Sequence, residues 1–340
     1  MWYPAIRPAL FALEPERAHR LVLDAMRLAG RRTRRLAAAT RIECMGLRFP
    51  NRVGLAAGFD KSAVAIDGLG ALGFGFIEIG TVTPLAQAGQ PRPRLFRLPA
   101  AEALINRLGF PNDGAEVVAA RLRKRRYAGI VGVNIGKNAT TSNSHAVDDY
   151  VSCLRILRGV ADYVVVNVSS PNTLRLRELH APEQLEPLLT ALLHERASSP
   201  VQAHRRLPLL LKIAPDLSPE ELRSIAELMR KLPMDGVVAT NTTTSRSGTA
   251  LAASHQAGGL SGRPLRPIAL AAVAALRAHL GSDFPIVGVG GIDSPASALQ
   301  MHAAGANLVQ LYTGLIYRGP GLVPQAARAL DSLEGQLPDP

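Results

Sequence analysis

Long apolar runs are missing from this 340-residue chain. No stretch of 18 or more apolar residues occurs, which excludes a transmembrane helix. Cysteine is nearly absent, and two residues, Cys44 and Cys153, cannot build a disulfide framework; the composition points to a reducing compartment. The opening MWYPAIRPALFALEPERAHR lacks the apolar core and cleavage site of a signal peptide. Charge is modest at 19%, against 47% hydrophobic residues, and mean hydropathy is +0.10. That balance excludes intrinsic disorder and supplies enough apolar surface for a large core. Lysine is scarcest of the charged residues, five against 34 arginines.

The net charge of +12 is unevenly spread. Residues 1–41 hold nine arginines (7, 17, 20, 27, 31, 32, 34, 35 and 41) against Glu14, Glu16 and Asp24, half of the whole surplus. Residues 4–13 and 15–30 pattern as two short helices broken at Glu14-Pro15, with Trp2, Ile6, Leu10, Phe11, Leu21, Val22, Met26 and Leu28 between arginines. Such a pair suits an anionic membrane surface. A helical cap packed on the main domain fits the pattern equally well. Arginine-biased coding is the bland account of the charge.

Eight short runs rich in β-branched residues follow, at 53–56, 76–80, 130–135, 163–168, 209–213, 236–240, 286–289 and 308–312. Each is continuously apolar rather than alternating, the pattern of a strand buried on both faces. Helical patterns follow nearly every one, such as Pro219–Lys231 behind the N-cap Ser218 and residues 265–280. This rhythm predicts an α/β fold, a (β/α)₈ TIM barrel over residues 42–340 with a two-helix extension over residues 1–41. A doubly wound sheet is the runner-up. Gly68-Leu-Gly70-Ala-Leu-Gly73 matches the dinucleotide fingerprint by letter, but it follows a helical stretch (63–69) and leads into a strand. The fingerprint needs the reverse order, so the motif is read as a helix end and tight turn. Residues 81–126 and 242–262 are expected to be insertions over the top face.

Barrel chemistry sits at the C-terminal strand ends. These ends hold Lys61, Thr81, Asn134, Asn167, Ser170, Asn172, Lys212, Thr240, Asn241, Thr242, Gly291, Tyr312 and Thr313. Amides and lysines abound; carboxylates are few, with Asp60 and Asp293 nearest. Paired carboxylates for glycoside hydrolysis and acidic metal ligands are not visible, and the histidines show no zinc spacing. No metal site is expected. Asparagines that donate and accept suit a flat heterocycle with alternating N–H and C=O edges. Where arginine is so favoured, Lys61 and Lys212 at strand ends, and Lys137 after the third strand, stand out. The glycines after the last two strands suit a phosphate.

The motifs AAGFDK, EIGTVTP, NRLGF, NIGKN, NVSSPNT, KIAPDL, ATNTT, GGLSGRPL, GVGGI and QLYTG occur in order along the chain. Together they closely resemble the quinone-linked, class 2 dihydroorotate dehydrogenases. The resemblance implies one FMN per chain, oxidation of dihydroorotate to orotate in pyrimidine biosynthesis, and a membrane quinone as final acceptor. It implies FMN contacts at Ala57, Gly58, Lys61, Thr81, Asn134, Asn167, Lys212, Thr240, Gly262, Gly291, Tyr312 and Thr313. It places Lys61, Asn106, Arg107, Leu108, Gly109, Phe110, Asn167, Asn172, Asn241 and Thr242 around the substrate. Ser170 matches the catalytic base; class 1 enzymes carry Cys there, so Ser favours quinone. Thr173 with a trapped water is a candidate relay for the serine proton. The resemblance also implies a peripheral enzyme on the cytoplasmic face of the cell membrane, held through residues 1–41, with no nucleic-acid partner and no obligatory protein subunit.

Two departures stand out. The family usually continues from Thr173 with Pro-Gly, whereas this chain has Leu174-Arg175, and Pro111 stands where Asn is usual. Two rivals remain at this stage. A dihydrouridine-synthase-like barrel would use the basic arm for tRNA and need a cysteine acid. A membrane-tethered barrel without catalysis would bind phosphate and nothing more.

Overall fold

The computed structural model describes residues 3–30, 42–198, 206–246 and 255–332. The strands in chain order are β1 (Ile42–Cys44), β2 (Leu47–Phe49), β3 (Val53–Leu55), β4 (Phe76–Val82), β5 (Leu95–Leu98), β6 (Ala103–Asn106) and β7 (Ile130–Ile135). They continue as β8 (Tyr163–Asn167), β9 (Leu209–Ile213), β10 (Gly236–Ala239), β11 (Gly259–Gly262), β12 (Ile286–Val289) and β13 (Leu308–Leu311). Eight of them, β3, β4, β7, β8, β9, β10, β12 and β13, close a parallel barrel in which β13 returns to pair with β3. These are the eight runs the sequence marks as strands. Their residues are buried on both faces because helices cover the outside and side chains fill the inside.

The hairpin β1–β2 closes the barrel floor. Ile42, Cys44, Leu47 and Phe49 pack into the interior cluster with Phe76, Tyr163, Leu210 and Leu308. The other non-barrel strands, β5, β6 and β11, form an antiparallel sheet over the top, within the two expected insertions. Residues 247–254 of the second insertion lie outside the described residues.

The helices begin with α1 (Tyr3–Ala12), α2 (Pro15–Ala29), α3 (Ile66–Gly70) and α4 (Ala115–Arg123). α1 and α2 match the expected pair; residues 1, 2 and 31–41, with five of the arm's arginines, lie outside the described residues. Glu14 caps α2, its carboxylate accepting the N–H groups of Glu16 and Arg17 at 2.9 and 2.8 Å. Arg97 on β5 finishes α1: its guanidinium donates to the carbonyls of Leu10, Phe11 and Leu13 and sits 4.7 Å over the Phe11 ring. The glycine motif resolves here. α3 is only five residues long, and a Cβ on its Gly68 would meet the Met26 carbonyl oxygen at 1.9 Å. Gly68 therefore lets α2 lie directly on the barrel, and Gly73 (φ 97°) makes the turn into β4. Among the described residues no helix is long and apolar enough to cross a membrane.

Candidate active site

The C-terminal strand ends surround an open cleft of about 940 Å³. Of the residues singled out from the sequence, Ala57, Gly58, Lys61, Thr81, Asn167, Ser170, Lys212 and Thr240 line it. So do Asn106, Leu108, Gly109, Phe110, Asn172, Asn241, Thr242, Gly262, Gly291, Tyr312 and Thr313. Two do not. Arg107 turns outward, its guanidinium held by Gln256 and the Pro93 carbonyl and stacked 4.7 Å over Phe96. Asn134 stands one layer behind the cleft, because its amide is consumed by neighbours. Lys137 also points elsewhere and donates to the Thr141 carbonyl at 2.7 Å.

The asparagines form a directed ladder. Glu78, fully buried inside the barrel, accepts Asn134 Nδ2 at 2.9 Å and Gln310 Nε2 at 2.6 Å. With its NH₂ so committed, Asn134 turns Oδ1 outward to accept Thr81 Oγ1 at 2.6 Å and Asn167 Nδ2 at 3.0 Å. Asn167 Oδ1 then accepts the Ser169 hydroxyl at 2.9 Å, and Ser169 Oγ accepts Asn241 Nδ2 at 2.9 Å. An acceptor-only group at one end thus fixes which way each amide points. Leaving one such buried donor unmade costs about 1–3 kcal/mol. A second pair, Asn172 Nδ2 on Asn106 Oδ1 at 3.1 Å, joins the segment after β8 to the end of β6.

The cleft's two lysines differ. Lys212 has no hydrogen-bond or ion-pair partner among the described residues, and burial pulls its pKa down against the opposing charge of Glu78. Lys61 donates to the Gly58 carbonyl at 2.5 Å; burial and then Arg94 pull its pKa down to about 8, while Glu16 and Asp60 oppose the shift. Ser170 is buried, and its Oγ accepts the Asn172 N–H at 3.2 Å. Three residues on, the buried Thr173 Oγ1 has no partner among the described residues.

A second, larger chamber of about 1290 Å³ lies between α1, α2 and the barrel. Its walls are apolar, including Ile6, Leu10, Val22, Met26, Phe59 and Leu315. Its polar groups are quenched. Burial, then the charge of Lys61, pulls the pKa of His19 down to about 4, so the ring is neutral near pH 7. Arg97 is spent on α1. Tyr312 lines both chambers, and its ring meets Phe59 edge-on at 5.7 Å.

Residues 39–333 match the family described as Dihydroorotate dehydrogenase. This chain belongs to that family. A protein of Leptothrix cholodnii named Dihydroorotate dehydrogenase (quinone) is 51% identical over 338 residues, 96% of this chain and 98% of the relative. One of Azotobacter vinelandii with the same name is 49% identical, covering 99% of each chain. The crystal structure of DHODH in complex with ferulenol from Eimeria tenella has a TM-score of 0.87 at 36% identity, over 97% of this chain and 95% of that one.

Against the dihydroorotate dehydrogenase pattern, the departure at 174–175 has a visible backbone setting. Arg175 adopts φ 55°, where glycine is easiest, and Leu174 is 79% exposed. Sequence reasoning missed Glu78 and Gln310. The signal was available: Phe76, Glu78 and Gly80 alternate along β4, so Glu78 shares the inward face with Phe76. A charged residue on an inward face calls for partners.

Proposed function

We propose that this chain is a quinone-linked dihydroorotate dehydrogenase, oxidising dihydroorotate to orotate in pyrimidine biosynthesis with FMN at the barrel mouth. One observation carries the reading: a polar chamber and an apolar chamber meet at a single aromatic wall, Tyr312 with Phe59. The first suits a charged heterocycle, the second a hydrophobic electron carrier.

The residues present fit FMN. Lys212 aims an unpartnered ammonium into the cleft, and Gln310 leaves Oε1 buried without a donor. Gly262, Gly291 and Gly314 line the same cleft, beside the first-turn amides of the short helix Thr313–Arg318. Cβ atoms at the three glycines would meet Glu102 O at 2.3 Å, Arg266 Cβ at 2.4 Å and Ile292 O at 2.0 Å. Those loops suit a phosphate, with Lys212 and the Thr81–Asn134–Asn167 ladder beside the ring system. FMN held there would supply the hydride acceptor and the redox link to the quinone.

The chain's own groups do the rest. Lys61 pairs with the substrate carboxylate. Asn106, Asn172 and Asn241 address the ring edges, and Leu108, Gly109, Phe110 and Thr242 close around them. Ser170 takes the proton from C5 while C6 loses hydride, and Thr173, whose buried hydroxyl has no partner among the described residues, with a trapped water relays that proton onward. Lys212 favours negative charge beside it. The quinone enters between α1 and α2. The exposed Leu21 and Leu28, with Arg17, Arg20 and Arg27 on the same helix, suit an anionic bilayer. The enzyme would then sit peripherally on the cytoplasmic face of the cell membrane, residues 1–41 as the membrane-associating part, residues 42–340 as the FMN-binding catalytic barrel. It needs no second protein subunit and no nucleic acid.

An anaerobic absorption spectrum tests this. A yellow protein should bleach with dihydroorotate and recover with a quinone but not with fumarate. A colourless protein, or one that dihydroorotate leaves yellow, refutes the reading.

A further inference from the structure

One buried guanidinium joins the N-terminal helices to the loops of the polar cleft. Arg94, just before β5, is 5% exposed. Its Nη2 and Nε donate to the two carboxylate oxygens of Glu16 on α2, at 2.7 and 3.1 Å. Its Nη1 donates to the carbonyls of Ala88 and Gln90 at 2.6 and 2.8 Å. Gln90 then reaches both sides of the cleft mouth: its N–H donates to the Leu108 carbonyl at 2.9 Å, its side-chain amide to the Asn172 carbonyl at 3.3 Å. The turn is tightly packed at Gly89 (φ 75°), where a Cβ would meet Leu108 O at 2.3 Å and Arg94 Nη1 at 2.8 Å. Leu108 and Asn172 line the cleft; Glu16 and Arg94 do not.

A guanidinium has five donors and no acceptor, and a buried one needs both a counter-charge and carbonyls in fixed directions. Glu16 supplies the counter-charge. The bidentate pair leaves Arg94 one orientation, in which its remaining nitrogen pins residues 88–90. Take away the carboxylate and the guanidinium turns toward water, releasing the turn that steadies Leu108 and Asn172.

We propose that Glu16 is a positioning residue for the substrate: through Arg94 and the turn at 88–90 it holds Leu108 and Asn172 in their binding arrangement. The inference rests on reading the cleft as the dihydroorotate site. It gives the helix pair a second task, since the element that covers the apolar chamber also sets affinity in the polar one.

Calorimetric titration of the oxidised holoenzyme with orotate tests this, alongside steady-state kinetics. Glu16→Gln should raise the orotate Kd and the dihydroorotate KM about ten-fold, with kcat and quinone KM within about two-fold. Gln90→Ala, which cuts the far end of the link without touching α2, should raise the orotate Kd in the same direction. Arg92→Gln removes the second guanidinium from the same carboxylate, at 3.0 Å, yet Arg92 is exposed and its side chain reaches no loop; its orotate Kd should stay within about two-fold of wild type. An unchanged orotate Kd in Glu16→Gln overturns the proposal. So does a rise in quinone KM alone, which would make Glu16 a docking contact for α2, or an equal effect in Arg92→Gln. Should Glu16→Gln fail to fold, an unchanged Kd in Gln90→Ala overturns it instead. Wild-type holoenzyme that binds no orotate would remove the functional reading itself, a separate result.

Discussion

The two chambers share Tyr312 and little else. On the barrel side, cations are left with work to do: Lys212 has no partner among the described residues, and burial lowers Lys61 to a pKa of about 8. On the helix side the polar groups are few and tied down. His19 is neutral with a pKa of about 4, the Arg97 guanidinium is held by three backbone carbonyls, and most of the remaining lining is apolar. The wall phenol is neutral too, burial raising Tyr312 to about 12. Proton and hydride removal needs fixed charge in a dry site. A lipophilic carrier needs the opposite, since an unpaired charge would cost more than the carrier's contacts return. Two such environments in one small protein require a thin partition, and α1–α2 supplies one wall of the second.

The strongest way to break this contrast acts on the polar side alone. Ser170→Ala should slow anaerobic bleaching by dihydroorotate about 10³-fold, the range of a lost general base. The protein should stay yellow and should still be oxidised by quinone at the wild-type rate after chemical reduction. Stopped-flow absorbance measures both, and undiminished bleaching would remove Ser170 from the chemistry. The mirror experiment fills the apolar side. Ala25 lines that chamber on α2, and Ala25→Trp should raise the quinone KM about ten-fold while bleaching stays within about two-fold. A quinone KM that does not move would detach the chamber from the acceptor.

Acidity sharpens the comparison further. Lys61 has its pKa lowered to about 8, chiefly by burial, so its ammonium is present below that pH and lost above it. A ligand carboxylate that needs the ammonium should bind about ten-fold more weakly at pH 9 than at pH 7. Orotate titrations across that window would show it, and Lys61→Met should flatten the slope. No matching limb is expected from His19, whose lowered value keeps it neutral throughout.

Much of this was legible in the chain. The eight barrel strands announced themselves because a strand buried on both faces has no polar alternation to confuse it, and Ser218 before Pro219–Lys231 read as an N-cap, which the structure extends to a capping box with Glu221. The capping sheet was not legible. β6 pairs with β11 across a sequence gap of more than 150 residues, and no local pattern encodes a partner so distant. The same holds for Glu16 and Arg94, 78 residues apart. The asparagines were found as residue types, but their direction was hidden. It depends on Glu78, whose inward placement follows from the strand's pleat rather than from any strand-end motif.

The smallest expected effect lies in the left-handed turn at Arg175. Its φ of 55° carries the strain any side chain feels in the left-handed region, about 1 kcal/mol. Its compensation is slight. The ion pair with Glu178 at 2.7 Å is largely solvent-exposed and screened, so it offsets little of that strain. Arg175→Gly relieves the strain but loosens the unfolded chain by about half a kcal/mol. The balance favours glycine by roughly half a kcal/mol, a rise of about 1 °C in the thermal midpoint of a protein this size. A calorimetric midpoint that falls instead would mean that Arg175 holds the loop after Ser170 through more than its backbone. The substitution would then weaken the polar chamber, with no effect on the quinone KM.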